Sequence, residues 1–213
     1  MNEIPPWMVL AFFCLTGVFI LSWLMGQARS GKESLRHLTG LAFSEAKELP
    51  PEMQDLVEEL GVGVLEGKKM SVGKGYHGIH NGIEVWTLEF REKRSGNEKP
   101  SNRIAAYIKL RKSYPQMVLM RKDKIPENLI EGKVEVLEPE FNEKYALISP
   151  NPVEVLEELS AEKIRDLGKT KIIGRIDVSD KNFILRKTTK RRIDSDFLRK
   201  LLDRTVKVVE ALN

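Results

Sequence analysis

KGYHGIHNGIEVWTLEF, residues 74–90, is the stretch that decides the fold class. Asn81-Gly82 is a strong signal for a two-residue turn, because a type I′ turn needs positive φ at both central positions. It predicts a hairpin between a strand near 74–80 and IEVWTLEF, 83–90. The second strand is β-branched and aromatic, with apolar residues on both faces, which marks it as central in a sheet. A tight hairpin is an antiparallel connection.

Working outward toward the C-terminus, the polar run 91–102 reads as an exposed loop. RIAAYIKLR (103–111) and QMVLMRK (116–122) read as two strands around Ser113-Tyr114-Pro115. KVEVLE (133–138) and EKYALIS (143–149) look like another pair. Asn151-Pro152-Val153-Glu154 then offers an N-cap residue, a proline at the first helical position and a glutamate at the third. The helix it opens carries Val155, Leu156 and Leu159, and a following turn ends at Gly168. KIIGRIDV (171–178) and NFILRKTT (182–189) form an expected hairpin across Ser179-Asp180-Lys181. The chain closes with a long amphipathic helix from Asp194, with Phe197, Leu198, Leu201, Leu202, Val208, Val209 and Leu212 along one side. Without regular βαβ alternation, the order predicts an α+β domain with a mainly antiparallel sheet and helices packed on one face.

Toward the N-terminus, Trp7–Met25 reads WMVLAFFCLTGVFILSWLM, without a charge. As a helix it would span ~28 Å, near the hydrocarbon thickness of a bilayer. Trp7 and Trp23 stand where indole rings favour the interface. A cleaved signal peptide is the rival reading, but MNEIPP lacks Lys and Arg and the apolar run is long. Arg29, Lys32 and Arg36 follow the segment while Glu3 precedes it, so the positive-inside rule places the later residues in the cytoplasm. The expected organisation is a transmembrane anchor at 1–28, a juxtamembrane helical stalk and short helix at 29–61, and the α+β domain at 62–213. Leu35, Leu38, Ala42, Ala46 and Leu49 give the stalk its helical stripe, which Pro50-Pro51 stops.

Residues 139–160, PEFNEKYALISPNPVEVLEELS, carry the pattern F-x-x-x-Y-x-L-x-S-x-N-P. It resembles that of a family of uncharacterised, membrane-anchored prokaryotic proteins, in which such a strand leads into a helix, a hairpin and a final long helix. Residues 74–90 are similar to that family's hairpin, and the likeness covers roughly residues 72–212. Members carry one or two membrane helices. The family has no assigned activity, so the resemblance implies architecture and transfers no site residue.

Several motifs tempt toward chemistry. Gly26 to Glu33 nearly spells a phosphate loop, but Glu33 replaces the hydroxyl that would coordinate Mg²⁺. Gly73, Gly75 and Gly78 match G-x-G-x-x-G, yet they enter a hairpin rather than a helix, so they read as bulge or turn positions. His77 and His80, three apart on a strand, point to opposite faces, and His37 lies in the stalk. Cys14 is the single cysteine and lies in the apolar segment, so no intramolecular disulfide and no thiolate metal site can form. Glu135, Glu138, Glu140 and Glu143 read as a solvated face. No cofactor is implied, and no catalytic or metal residue is singled out.

Charge is the more informative feature. The formal net charge of +4 does not by itself call for nucleic acid. From Glu127 to Ser160 nine acids face two bases, whereas from Ala161 to Asn213 fifteen bases face eight acids. Within the latter stretch Arg186, Lys187, Lys190, Arg191 and Arg192 form a basic cluster. Beside a bilayer such a cluster could meet anionic headgroups at ~1 kcal/mol per cation. It could also pair with the acidic stretch or contact a protein, with nucleic acid well behind. The function expected first is a non-enzymatic module recognising a protein partner or the membrane surface. The alternative is an enzyme or small-ligand receptor whose pocket has no linear signature, favoured if several polar groups converge in a well-formed pocket.

Overall fold

The computed structural model describes residues 43–55, 70–92, 102–189 and 193–213. Among these residues seven strands form one antiparallel sheet: β1 (Phe43–Glu45), β2 (Met70–His80), β3 (Ile83–Glu92), β4 (Asn102–Arg121), β5 (Lys133–Val134), β6 (Tyr145–Ile148) and β7 (Arg175–Thr189). The order is β1-β2-β3-β4-β6-β5, with β7 also paired to β4. Helix α1 is described over 51–55. Four more follow: α2 (Pro139–Lys144), α3 (Pro152–Glu158), α4 (Ala161–Lys169) and α5 (Ser195–Leu212).

The β2–β3 hairpin turns at Asn81 (φ 51°) and Gly82 (φ 77°), the left-handed pair that a type I′ turn requires. Strand β3 lies between β2 and β4 and is apolar on both faces. Val85 joins the main core, while Leu88 and Phe90 join a second cluster with Met53, Ala105 and Tyr107. Because both faces carry apolar side chains, both need cover. The expectation of helices on one face is corrected accordingly. Helices α2, α3, α4 and α5 contribute Phe141, Val155, Ile164, Leu201 and their neighbours to the main core, while α1 brings Met53 to the other side. Each such burial is worth roughly 1.5–3 kcal/mol relative to exposure.

The transmembrane part of the expected fold class is also corrected. Among the described residues no helix is long and apolar enough to cross a membrane. The longest, α5, is amphipathic: it carries Asp196, Arg199, Lys200, Asp203, Arg204, Lys207 and Glu210 opposite its buried stripe. The apolar segment Trp7–Met25, the basic flank used for orientation and the helical stripe up to Ala42 lie outside the described residues. At 43–45, where that stripe was expected to continue, the chain is strand β1, paired antiparallel to β2 from Phe43 opposite Gly78 to Glu45 opposite Tyr76.

Two expected breaks are absent. Residues 103–111 and 116–121 belong to one strand, β4, with Lys122 opening the turn that follows, and 175–189 form one strand, β7, rather than two arms of a hairpin. The cause is mutual. Tyr114 pairs with Asp180, and the register slips on either side of that pair. Pro115 lacks an N–H, and Asp180 sits at φ 52°; each spoils a ladder locally. Facing one another, they make a shared bend instead of two turns. Ser113 hydrogen-bonds the Asp180 carboxylate there and holds it below its ordinary pKa. Tyr114 is buried at the bend, its hydroxyl donating to the Leu212 carbonyl and accepting from Lys163 Nζ at 2.9 Å.

The remaining expectations hold in outline. Strand β5 pairs with β6, but only through Lys133 and Val134, and the expected strand at 143–149 is shortened to Tyr145–Ile148 because α2 takes 139–144. Helix α3 starts at Pro152 as its proline requires, but the expected cap is not made: the Asn151 side chain accepts from no helix N–H, and its Nδ2 instead donates to the Glu154 carboxylate at 3.4 Å. The turn expected before Gly168 is the full helix α4, capped by Ser160, whose Oγ accepts from Lys163 N.

A basic pocket at the open edge of β7

The bend shapes the site. In a straight strand Ile104 and Met120 would stand roughly 50 Å apart. Here both line one pocket of about 490 Å³, because β4 and β7 curl together. Along one edge of β4 lie β3 and then β6, whereas β7 follows the whole opposite edge. Among the described residues β7 has no other strand neighbour. The segment leading into β7 returns to that open edge: Gly174 packs so closely on the Arg186 carbonyl that a Cβ would overlap it.

Cross-strand pairing fixes where the cations point. Lys187 lies opposite Ile104 and Arg186 opposite Ala105. Partners across a ladder share a face and successive residues alternate, so Arg186 and Lys187 leave β7 on opposite sides. A pocket lined by both runs over the strand's edge. Phe90, Ile104, Ala105, Met120 and Ile173 give it an apolar floor, and Arg103, Arg121, Lys124, Arg175, Arg186 and Lys187 surround it.

These six cations are unequally satisfied. Asp177 bridges two of them, with Oδ1 2.7 Å from Arg175 Nη2 and Oδ2 3.1 Å from Arg186 Nε. Asp123 serves Arg121 through Nε at 2.9 Å and Nη2 at 3.1 Å, and stands 3.7 Å from Lys124. Arg103 Nε is buried without a hydrogen-bond partner among the described residues. Lys187 is lowered in pKa, first by burial and then by the positive charges of Arg121, Arg204 and Lys124. A cation held among cations favours an incoming anion.

Of the basic cluster expected from sequence, Arg186 and Lys187 line this pocket, while Lys190, Arg191 and Arg192 lie outside the described residues. Arg103, Arg121, Lys124 and Arg175 had no linear signal, since they are spread over some seventy residues and meet only through the bend. The acidic stretch is partly engaged with the basic one, as Arg165 and Glu138 show at 3.0 Å.

The other sequence candidates have structural occupations. His77 stacks on Trp86 at 4.4 Å and meets Glu84 at 2.8 Å, while His80 meets Asp203 of α5 at 2.8 Å. Gly73 lies within a register shift of β2 that runs from Val72 to Gly75, and Gly73 and Gly75 allow close approach of the Glu89 carbonyl and the Leu49 side chain. Among the described residues no three His, Cys, Asp or Glu side chains are placed to hold a metal ion.

Fold and pocket together define an antiparallel α+β domain with an apolar-floored, cation-rich cleft. No family model matches the chain. A cobalt-precorrin-5B C(1)-methyltransferase of Prochlorococcus marinus (strain MIT 9312) is 28% identical over 166 residues, which takes in 71% of this chain and 44% of that protein. The chain thus spans less than half the length of this curated relative. Among solved structures, the mycobacterial trehalose monomycolate transport factor A, TtfA, superposes with a TM-score of 0.50 at 10% identity, over 85% of this chain and 90% of that one. That likeness is one of fold alone.

Proposed function

We propose that this domain is a binding module whose pocket receives a small anionic ligand with an apolar body. The observation that carries the reading is the convergence of six cations from separate segments over a floor of Phe90, Ile104, Ala105, Met120 and Ile173. A volume of about 490 Å³ lies within the range of pockets that enclose small molecules. The apolar floor gains by shedding water, and the cations gain by neutralising one another's repulsion through the ligand. A protein partner would engage the same cleft by inserting an acidic, apolar-flanked side chain.

The test is thermal unfolding of the full chain with octyl chains that differ only in their head: an anionic sulfate, neutral octanol and cationic octylamine. A ligand that binds only the folded state raises Tm in proportion to its occupancy. The sulfate should stabilise the protein, octanol weakly or not at all, and octylamine not at all. Equal shifts for all three would reduce the cleft to an unselective greasy surface and end the reading.

The likeness to the methyltransferase favours a second reading, methyl transfer to a precorrin-like substrate in this cleft. Incubation of the full chain with a methyl donor and cobalt-precorrin-5B tests it, and failure to form a methylated product removes it.

A further inference from the structure

We infer that the ligand's anionic group is a phosphate monoester carried on an apolar body, seated among Lys187, Arg121 and Lys124. This rests on the binding-module reading and adds the chemistry of the head group. The argument is one of charge at a defined place. Arg121 ends β4, Lys124 lies in the 3-10 turn Lys122–Lys124 that follows, and Lys187 reaches the same cleft from β7. Among these three cations the described carboxylate in contact is Asp123, shared by Arg121 and Lys124. The local surplus is therefore two positive charges, and Arg204 of α5 adds to the field at Lys187.

A carboxylate would leave half of that surplus uncompensated inside a partly apolar cleft. A phosphate monoester, carrying about −1.5 to −2 at neutral pH with three acceptor oxygens, compensates nearly all of it. Arg121 already gives Nε and Nη2 to Asp123, which fixes the guanidinium plane and leaves its Nη1 hydrogens for the ligand. The Lys187 ammonium has three donors on a rotatable stem and suits a phosphate as a point charge. Phe90, Ile104 and Met120, which line the same cleft, provide the surface on which the ester's apolar part lies.

Calorimetric titration of the full chain with octyl phosphate, octanoate and inorganic phosphate decides the matter, with phosphatidate vesicles as a fourth arm. Octyl phosphate should bind with one-to-one stoichiometry and about tenfold or more tighter than octanoate or inorganic phosphate. Lys187→Gln should remove most of that preference. Lys124→Gln, at an exposed position whose replacement leaves the fold intact, should weaken octyl phosphate by a further measurable factor and serves if Lys187→Gln fails to fold. Equal affinity for octanoate overturns the phosphate inference and leaves the binding-module reading standing. Equal affinity for inorganic phosphate overturns the role of the apolar floor. Binding to vesicles without binding to monomeric octyl phosphate places the phosphate on a lipid surface instead of in the cleft and overturns the inference, and silence in every arm removes both readings.

Discussion

Gly174 lies against the carbonyl oxygen of Arg186, at the point where the chain entering β7 meets the far end of the same strand. That approach holds the curl of the β4–β7 ribbon closed and forms one wall of the basic pocket. A side chain there would have backbone as its obstacle, which cannot step aside as a flexible side chain can.

Replacing Gly174 by Ala should therefore destabilise the domain by roughly 1–3 kcal/mol, the usual cost of overpacking. Gly168→Ala provides the contrast. Its Cβ would meet Phe141 at ordinary contact distance, 3.8 Å, and the position is inside α4. Alanine should be neutral there or stabilising by about 0.5–1 kcal/mol, because glycine is the costlier residue in a helix. Urea unfolding of the two variants in parallel should give a loss for Gly174→Ala and none for Gly168→Ala, and matching losses would contradict the proposed closure.

Lys187 should limit the stability of the empty protein. Its folded pKa lies below the ordinary 10.5, so the folded state disfavours the charged amine that the unfolded chain accepts. Below the folded value this penalty is fully present. As pH rises through the folded value toward 10.5 it is relieved, so this residue makes stability increase with pH in that window. Lys187→Met, which keeps the apolar stem, should raise stability at neutral pH by roughly 0.5–1 kcal/mol. Added salt should narrow the gap between variant and parent, because screening weakens the repulsion from Arg121, Arg204 and Lys124.

Tyr107 should mark the alkaline limit. Its hydroxyl stands 3.0 Å from Asn182 Oδ1, and its pKa is pushed up to about 12, first by burial and then by the charge of Glu52, whose carboxylate competes with Asn182 for the single phenolic hydrogen. The unfolded chain loses this proton near 10.0, so the stability it contributes is complete below that pH. Between 10.0 and about 12 it is lost as the unfolded state deprotonates first. The loss amounts to roughly 2–3 kcal/mol. Tyr107→Phe should cost about 1 kcal/mol at neutral pH through the lost hydrogen bond. Its stability curve should also be flatter above pH 10, read by chemical unfolding at stepped pH.

Asp194 caps the final helix, its Oδ1 accepting from Phe197 N at 2.8 Å. Because α5 supplies Leu198, Leu201, Leu202 and Val209 to the main core, the cap affects the whole domain. Asp194→Ala should lower stability by about 1 kcal/mol and Asp194→Asn by much less, since asparagine caps nearly as well. A similar loss for both variants would show that charge rather than the cap bond is responsible.

The local signals in this chain were legible wherever one residue type dictates its own backbone. Asn81-Gly82 could only turn, Pro152 could only begin a helix, and the apolar stripe of 194–213 could only bury one side. Those elements imply an α+β domain with an antiparallel sheet. The sequence misled at Ser113-Tyr114-Pro115 and Ser179-Asp180-Lys181, because a residue that disfavours a regular ladder marks a turn and a bulge alike. Which of the two forms depends on what lies opposite. Here each irregular segment faces the other, and Tyr114 is anchored on α5 and Lys163.

The same distinction separates the basic cluster from the basic pocket. Arg186 and Lys187 were visible as neighbours in the chain, but a run of charges carries no information about which face of an edge strand each one takes. Register against Ile104 and Ala105 decided that, and the bend in β4 brought Arg103 and Arg121 to one cleft. The amino-acid order alone determined the hairpin at Asn81-Gly82, the helices opening at Pro152 and Asp194, the antiparallel class of the sheet and the sign of the charge in the final quarter of the chain. Only the tertiary structure decided that this charge surrounds an apolar floor, because contact between residues that far apart depends on how two long strands curl together and not on any local preference.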